Sequence, residues 1–323
     1  MIRMVVTVLG VLAFAVAAAG LVSRYLPIGN EVVLVVAAAS PHLTCAGLAA
    51  LILFSVTRHW ALTIVAALLC IAMIGIQLPR YFGPEKTTVP SASVRVLSAN
   101  LGLGHADPRA VVALATGSAD VLVLQEMTPE VATAMSAAGL DAVFPHRVID
   151  PRPMAAGIGV WSRHPIVDSA PIGGYQMPML SAQIRLPGIR FDTTVLAVHL
   201  AAPWVQPLRW FSGDIEQLPT TLREVSRNAG AGAVIVAGDL NATYDMQPFR
   251  RLLAEGYRDA AEQAGAGLTL TYPSRPWQRP VIGIDHILVY NCSASAAHTV
   301  AVPGSDHRGL AATIDIPVDL TAS

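Results

Sequence analysis

Ala233-Val234-Ile235-Val236-Ala237-Gly238-Asp239-Leu240-Asn241 is an apolar run that ends abruptly in a turn carrying a carboxylate and an amide. Consecutive small and branched apolar residues of this length suit a strand buried on both faces, as in sheets covered by helices. The form recurs along the chain. Val94–Ala99 runs into Asn100, Val121–Leu124 into Gln125 and Glu126, and Thr193–Val198 into His199. Gly157–Trp161, Ile284–Tyr290 and Leu310–Ile316 predict further strands. Asp285 and His286 lie within one of these, and Ser305-Asp306-His307 precedes another. Helices are expected between them. Asp107-Pro108 and Thr128-Pro129 each set a capping side chain before a proline at the first helical position, and Gly139 is a stop signal for the second helix. Residues 206–229 and 247–255 complete the helical set. Interleaved helices and strands define an α/β or α+β class.

In open sheets ligands bind in the crevice outside the carboxyl ends of the strands. Hard oxygen donors gathered there suit Mg²⁺ or Mn²⁺. An imidazole contacts a phosphoryl oxygen, and an Asp activates water. Each residue alone has a plainer reading: a strand-end Asn or Glu as a turn former, His199 as a satisfied core histidine, residues 238–241 as a simple turn. Six such places in one topological position outweigh the separate plain readings.

In their order and spacing, Ser98-Ala99-Asn100, Leu124-Gln125-Glu126, residues 159–166, His199, residues 238–242, Ile284-Asp285-His286 and Ser305-Asp306-His307 resemble the endonuclease/exonuclease/phosphatase superfamily of DNase I-like phosphoesterases. The resemblance covers residues 93–317. It implies a four-layer α/β sandwich, two sheets face to face with helices outside, and hydrolysis of a phosphoester. It further implies roles position by position. Glu126 is the principal metal carboxylate with Asn100 beside it, and Asp306 is a further ligand. Asp239 orients or deprotonates the attacking water, and Asn241 contacts phosphate or metal. His307 stabilises the pentacovalent phosphorane with Asp285 holding its ring, and His199 matches a second site histidine. Arg163 falls where the family has a structural residue. The metal implied is Mg²⁺ or Mn²⁺.

The composition is divided. Of 323 residues 53% are hydrophobic and only 13% charged, whereas an ordinary soluble domain carries roughly a quarter charged residues. Residues 1–80 hold Arg3, Arg24, Arg58 and Arg80, no Lys, and Glu31 as the sole acid. Apolar runs at about 4–22, 32–56 and 61–78 each approach the ~20 residues that cross a bilayer as a helix. Tyr25, Trp60, Tyr81 and Phe82 stand at their ends as interfacial anchors. Residues 1–82 are therefore expected to be a three-span anchor with a kink at Pro41, followed by a linker at 83–92. Ten extended residues reach at most ~35 Å, which keeps the catalytic domain close to the bilayer. With the N-terminus in the cytoplasm Arg3 and Arg58 lie inside and Arg24, Arg80 and Lys86 outside, a nearly even balance. Arg3 and the short Arg58-His59 loop tip it towards this orientation, in which an odd number of spans puts that domain outside the cytoplasmic membrane. Cys45, Cys70 and Cys292 form no disulfide framework, and no disulfide-linked partner is expected.

Residues 91–323 hold 16 Arg, no Lys and 20 acids, a net of −4. Nucleic acid binding needs a cationic surface, so this balance disfavours an anchored nuclease. Two segments point elsewhere. Trp204 and Arg209 follow His199, while Arg275 and Trp277 precede Asp285. Such Trp–Arg pairs suit an interfacial surface that binds a lipid headgroup, or the Trp side chains simply close the ends of the sandwich. Three spans before such a domain resemble bacterial cell-surface members linked to the envelope. The expected substrate is a lipid-linked phosphomonoester, phosphodiester or pyrophosphate. The alternatives are a membrane-anchored nuclease and a non-catalytic envelope scaffold.

Overall fold

The structure is a computed structural model that describes residues 1–83 and 89–319. In chain order its elements are α1 (Ile2–Ser23), α2 (Glu31–Val56), α3 (Trp60–Gln77), β1 (Ser91–Asn100), α4 (Pro108–Ser118), β2 (Val121–Gln125), α5 (Pro129–Ala137), α6 (Leu140–Val143), β3 (His146–Asp150), β4 (Ile158–Ser162), β5 (Ile166–Ile172), β6 (Met179–Ile184), β7 (Thr193–His199), α7 (Leu208–Ala229), β8 (Val234–Asp239), α8 (Gln247–Leu253), β9 (Arg258–Asp259), α9 (Ala260–Gln263), β10 (Asp285–Tyr290), β11 (Ser293–Ala301) and β12 (Arg308–Pro317). The chain divides into two compact units, one of Met1–Pro79 with Thr243–Arg250, the other of Arg80–Ala242 with the residues from Arg251 on.

In the first unit α1, α2 and α3 are long and apolar enough to cross a membrane, by length and composition. Asn30 caps α2 by accepting from Val33 N at 3.0 Å. The helix then runs on through Pro41 as one continuous helix and not two half-helices.

In the second unit the sheets have the orders β11-β12-β1-β2-β4-β3 and β5-β6-β7-β8-β10-β9. Alternate residues build the core between them. Val94, Val96, Val121 and Val123 from one sheet meet Val195, Ala197, Ile235, Ala237 and Ile287 from the other. The intervening residues Leu97, Ala99, Leu122 and Leu124 face outward and are covered by Val111 and Ala115 of α4 and Val131 and Met135 of α5. On the far side α7 packs on β7 and β8, burying Phe211, Ile215, Leu218, Leu222 and Val225. That 4-3-4-3 spacing is the apolar stripe of an amphipathic helix. Four layers result, as the resemblance implied. Strands β2, β4, β7 and β8 are buried along their whole length because both faces are covered.

The expected caps form: Asp107 accepts from Arg109 N at 2.9 Å and Thr128 from Val131 N at 3.3 Å. The helix expected at 206–229 begins at Leu208, because Pro207 holds the extended N-cap conformation. Of the expected linker, residues 84–88 lie outside the described residues. Its last two, Ser91 and Ala92, are already in β1, paired with Pro317 and Ile316. Strands β3, β5, β6, β9 and β11 were not expected. The β5 pattern is mostly exposed and β11 is built largely of Ala and Ser, so neither edge carries an apolar run.

Candidate active site

Strand register brings the polar strand ends together. Parallel β7 and β8 set His199 beside Asp239. Antiparallel β10 sets Asp285, at its start and not its end, opposite Asp239. In the other sheet parallel β1 and β2 pair Asn100 with Gln125, one residue before Glu126. Gly238 permits the close pairing: a Cβ there would overlap the Val198 carbonyl oxygen.

Asn100 joins the two sheets. Its Nδ2 donates to Asp239 Oδ2 at 3.0 Å and to Glu126 Oε1 at 3.1 Å, while its Oδ1 accepts from Gly102 N at 2.9 Å. Glu126 Oε2 accepts from Leu103 N at 2.6 Å. Asp239 Oδ1 accepts from Asn241 N at 2.8 Å, and Asn241 Nδ2 donates to Leu200 O at 3.0 Å. Glu126 and Asn241 both have left-handed backbones, with φ of 54° and 48°. Such residues cost on the order of 1–3 kcal/mol and cluster at functional sites.

His307 Nδ1 donates to Asp285 Oδ2 at 2.9 Å, leaving Nε2 3.8 Å from Asp239 Oδ2. Ser305 holds the loop: its hydroxyl donates to Asn100 O at 2.8 Å and accepts from His307 N at 3.0 Å. His199 Nδ1 donates to Ala155 O at 3.2 Å, so Nε2 faces Glu126 Oε1 at 3.7 Å and Asp239 Oδ2 at 3.9 Å.

Burial shapes the electrostatics. Desolvation first, then the Asp285 charge, push the Asp239 carboxyl up to about 6, against the pull of His307 and His199. Burial alone would lower His307. The charges of Asp285 and Asp239 and the bond to Asp285 overcome it and raise the imidazole to about 10. In the metal-free chain this balance favours a protonated His307 beside the buried carboxyls of Asp285 and Asp239.

These groups open into a cavity of about 300 Å³. Its lining combines the polar side chains of Glu126, Asp239, Asn241, Asp306, His105, His199, His307, Gln206 and Tyr272 with the apolar ones of Leu103, Met177, Ala202, Trp204, Val205 and Ile284. No Arg or Lys lines it among the described residues. Ligand atoms of Asp239, Asp285 and His307 lie within 4.8 Å of one another, and buried Asp285 Oδ1 has no hydrogen-bond partner. The excess of carboxylate oxygens on the lining, from Glu126, Asp239 and Asp306, fits a hard divalent cation.

Of the residues expected to bind substrate, Trp204 lines the cavity. Arg209, Arg275 and Trp277 do not, and all three are exposed. Glu126 and Asp306 line it but stand outside the tight carboxylate–imidazole cluster, and Asn100 lies behind the lining, bonded to Glu126 and Asp239. Tyr272 was not foreseen. Its ring lies 4.8 Å from that of His307, and burial followed by the Asp306 charge raises its hydroxyl. Thr271 was also missed; its Oγ1 accepts from the backbone N of Ile284 at 3.2 Å and of Asp285 at 3.4 Å. A third omission lies behind the 238–242 turn. There His286 Nε2 contacts Ala242 O at 2.9 Å and Nδ1 contacts Asp259 Oδ2 at 2.8 Å. His286 was visible as a neighbour of Asp285, whereas nothing local marks Asp259.

Two stacked sheets with carboxylates and imidazoles gathered at their strand ends define a metal-dependent phosphoric ester hydrolase. The chain belongs to the endonuclease/exonuclease/phosphatase family, whose sequence profile matches residues 97–307. No curated protein matches the chain. The fold is shared with solved structures. A humanized D. rerio TDP2 is 19% identical with a TM-score of 0.57, over 69% of this chain and 98% of that one. A family protein from Bacteroides thetaiotaomicron is 14% identical with a TM-score of 0.54, over 70% and 99%. A 3′ phosphatase, NExo, from Neisseria, bound to a product DNA hairpin, is 19% identical with a TM-score of 0.53, over 68% and 98%.

Proposed function

We propose that this protein is a membrane-anchored phosphoesterase, dependent on Mg²⁺ or Mn²⁺, that hydrolyses a lipid-linked phosphoester or pyrophosphate by in-line attack of water. The observation that carries the substrate class is the cavity wall. A phosphate seated against Asp239, Asn241 and His307 has Leu103, Met177, Trp204 and Val205 beside it and no Arg or Lys. That wall suits an apolar leaving group better than a polyanion, which would need several cationic contacts. The three apolar helices of the same chain supply a membrane in which such a substrate resides. An odd number of spans, with Arg3 and Arg58 on the cytoplasmic side, directs the catalytic domain outward.

In this reading Asp239 takes a proton from the attacking water while a bond forms from that oxygen to phosphorus. The bond to the leaving oxygen breaks on the opposite side. His307 Nε2–H donates to a non-bridging phosphoryl oxygen, and Asp285 holds the ring through Nδ1 and keeps it protonated. His199 and Asn241 bracket the same phosphate. Glu126, with Asn100 and Asp306, would hold the divalent cation, which supplies Lewis-acid stabilisation of the developing charge. Asn100 keeps Glu126 and Asp239 in mutual register.

The test is turnover by the full chain in nanodiscs with Mn²⁺, offered a soluble diester reporter, plasmid DNA, phospholipids and polyprenyl pyrophosphate. Lipid turnover that is lost in EDTA and in Asp239→Ala is the expected result. Cleavage of DNA alone would favour the nuclease, and no turnover of any substrate would overturn the reading.

A further inference from the structure

Four segments border the cavity: residues 101–106, 151–157, 200–210 and 272–282, each contributing lining residues. They also carry most of the exposed large apolar side chains of the second unit. Leu103, Met154, Val205, Trp210, Trp277 and Val281 lie on them, and among the described residues of that unit Tyr81, Phe82, Val89, Val167 and Val318 lie elsewhere. Met154 is 68% exposed, Trp277 75% and Val205 84%. Exposed large apolar side chains around a cavity mouth mark an interaction or membrane site.

Charge separates these segments from the rest of the domain. Together they hold Arg152, Arg209, Arg275 and Arg279 and not one Asp or Glu, although residues 91–323 net −4. Arg152 pairs with Asp150 just outside its segment at 2.7 Å, and the Arg275 guanidinium lies over the Trp277 ring at 5.6 Å. Backbone geometry holds the collar in place. Residues 272–282 form a hairpin, with Tyr272 bridged to Ile282 and Arg275 to Gln278. Ser274 N donates to Asp306 O at 2.6 Å and ties the hairpin to the cavity wall. Apolar tips interleaved with arginine are the chemistry of an interfacial surface: the rings and branched chains enter the headgroup–acyl boundary while the cations meet phosphate.

We infer that these four segments form a collar that docks on an anionic lipid bilayer and opens the active-site cavity onto it. The collar deepens, and rests on, the membrane-anchored reading above. A lipid-linked phosphate then enters the cavity without leaving the bilayer for water.

The test reads location and needs no turnover, so failure of the phosphoesterase reading would leave its outcome intact. The full chain is placed in nanodiscs of phosphatidylcholine and phosphatidylglycerol, with and without brominated acyl chains. Subtracting the emission of Trp277→Phe isolates Trp277. Met154→Trp and, as a site off the collar, Val167→Trp are compared in the Trp277→Phe background. The expected result is blue-shifted emission from Trp277 and from Met154→Trp, quenched by brominated lipid and protected from aqueous acrylamide, with the reverse at Val167→Trp. Water-like emission at positions 277 and 154, quenched by acrylamide and untouched by brominated lipid, would overturn the inference.

Discussion

His307 Nδ1 donates to Asp285 Oδ2 at 2.9 Å, and the bond joins the loop before β12 to the first residue of β10. Both side chains are buried, so neither carries charge cheaply without the other. Because His307 is raised to about 10 from 6.5, its contribution to stability is complete below pH 6.5. It is lost as pH rises through about 10. In the EDTA-treated chain, NMR of the histidine ring should show His307 protonated through neutral pH. Asp285→Asn removes the chief charge raising it and should move the midpoint down. A midpoint near 6.5 with Asp285 intact would contradict the assignment.

Glu126 sits at φ 54°, where a Cβ costs about 1 kcal/mol relative to glycine. Glu126→Gly and Glu126→Ala lose the same carboxylate, so their difference isolates the backbone. Denaturant unfolding in EDTA should find the Gly variant more stable by about that amount. Neither variant should show the Mn²⁺-induced rise in Tm expected of the wild type. Equal stability of the two would remove the strain argument.

The contact of His286 Nδ1 with Asp259 Oδ2 supports the catalytic turn from behind, through the His286 contact to Ala242 O. Burial raises the Asp259 carboxyl, but the His286 bond and charge lower it further, for a net fall. Asp259 also caps α9 by accepting from Ala261 N and Glu262 N. A depressed carboxyl stabilises above its unfolded value and loses that contribution as pH falls through the folded one. Asp259→Asn should therefore cost about 1–3 kcal/mol at pH 7, and the penalty should shrink in acid. Urea titrations at pH 7 and at pH 2–3, below the ordinary carboxyl value of 3.8, measure both, and a penalty unchanged with pH would point to packing instead.

The strands that lead into Glu126, His199 and Asp239 were legible because each is buried on both faces and so is spelled almost wholly in apolar residues, and β1 because its second half, up to Asn100, is buried likewise. Their polar ends stood out for the same reason. Edge strands left no such trace: β5 is exposed through its middle and carries a proline, and β11 is built largely of Ala and Ser. Tyr272 and Thr271 escaped notice because their positions depend on the hairpin bridge from Tyr272 to Ile282, a pairing across an irregular loop. Asp259 meets His286 only because β9 pairs with β10, and a two-residue strand has no period to read. The exposure of Trp277 likewise emerges only in three dimensions, since the sequence allowed its ring to close the sandwich.

Hydrolysis of polyprenyl pyrophosphate by the full chain in nanodiscs, run in oxygen-18 water with Mn²⁺, decides whether water attacks phosphorus at this site. Attack of water at phosphorus predicts a single oxygen-18 in one of the two phosphate products, with release abolished by EDTA and by Asp239→Ala. Release that persists in both controls, or products without the label, would contradict the account.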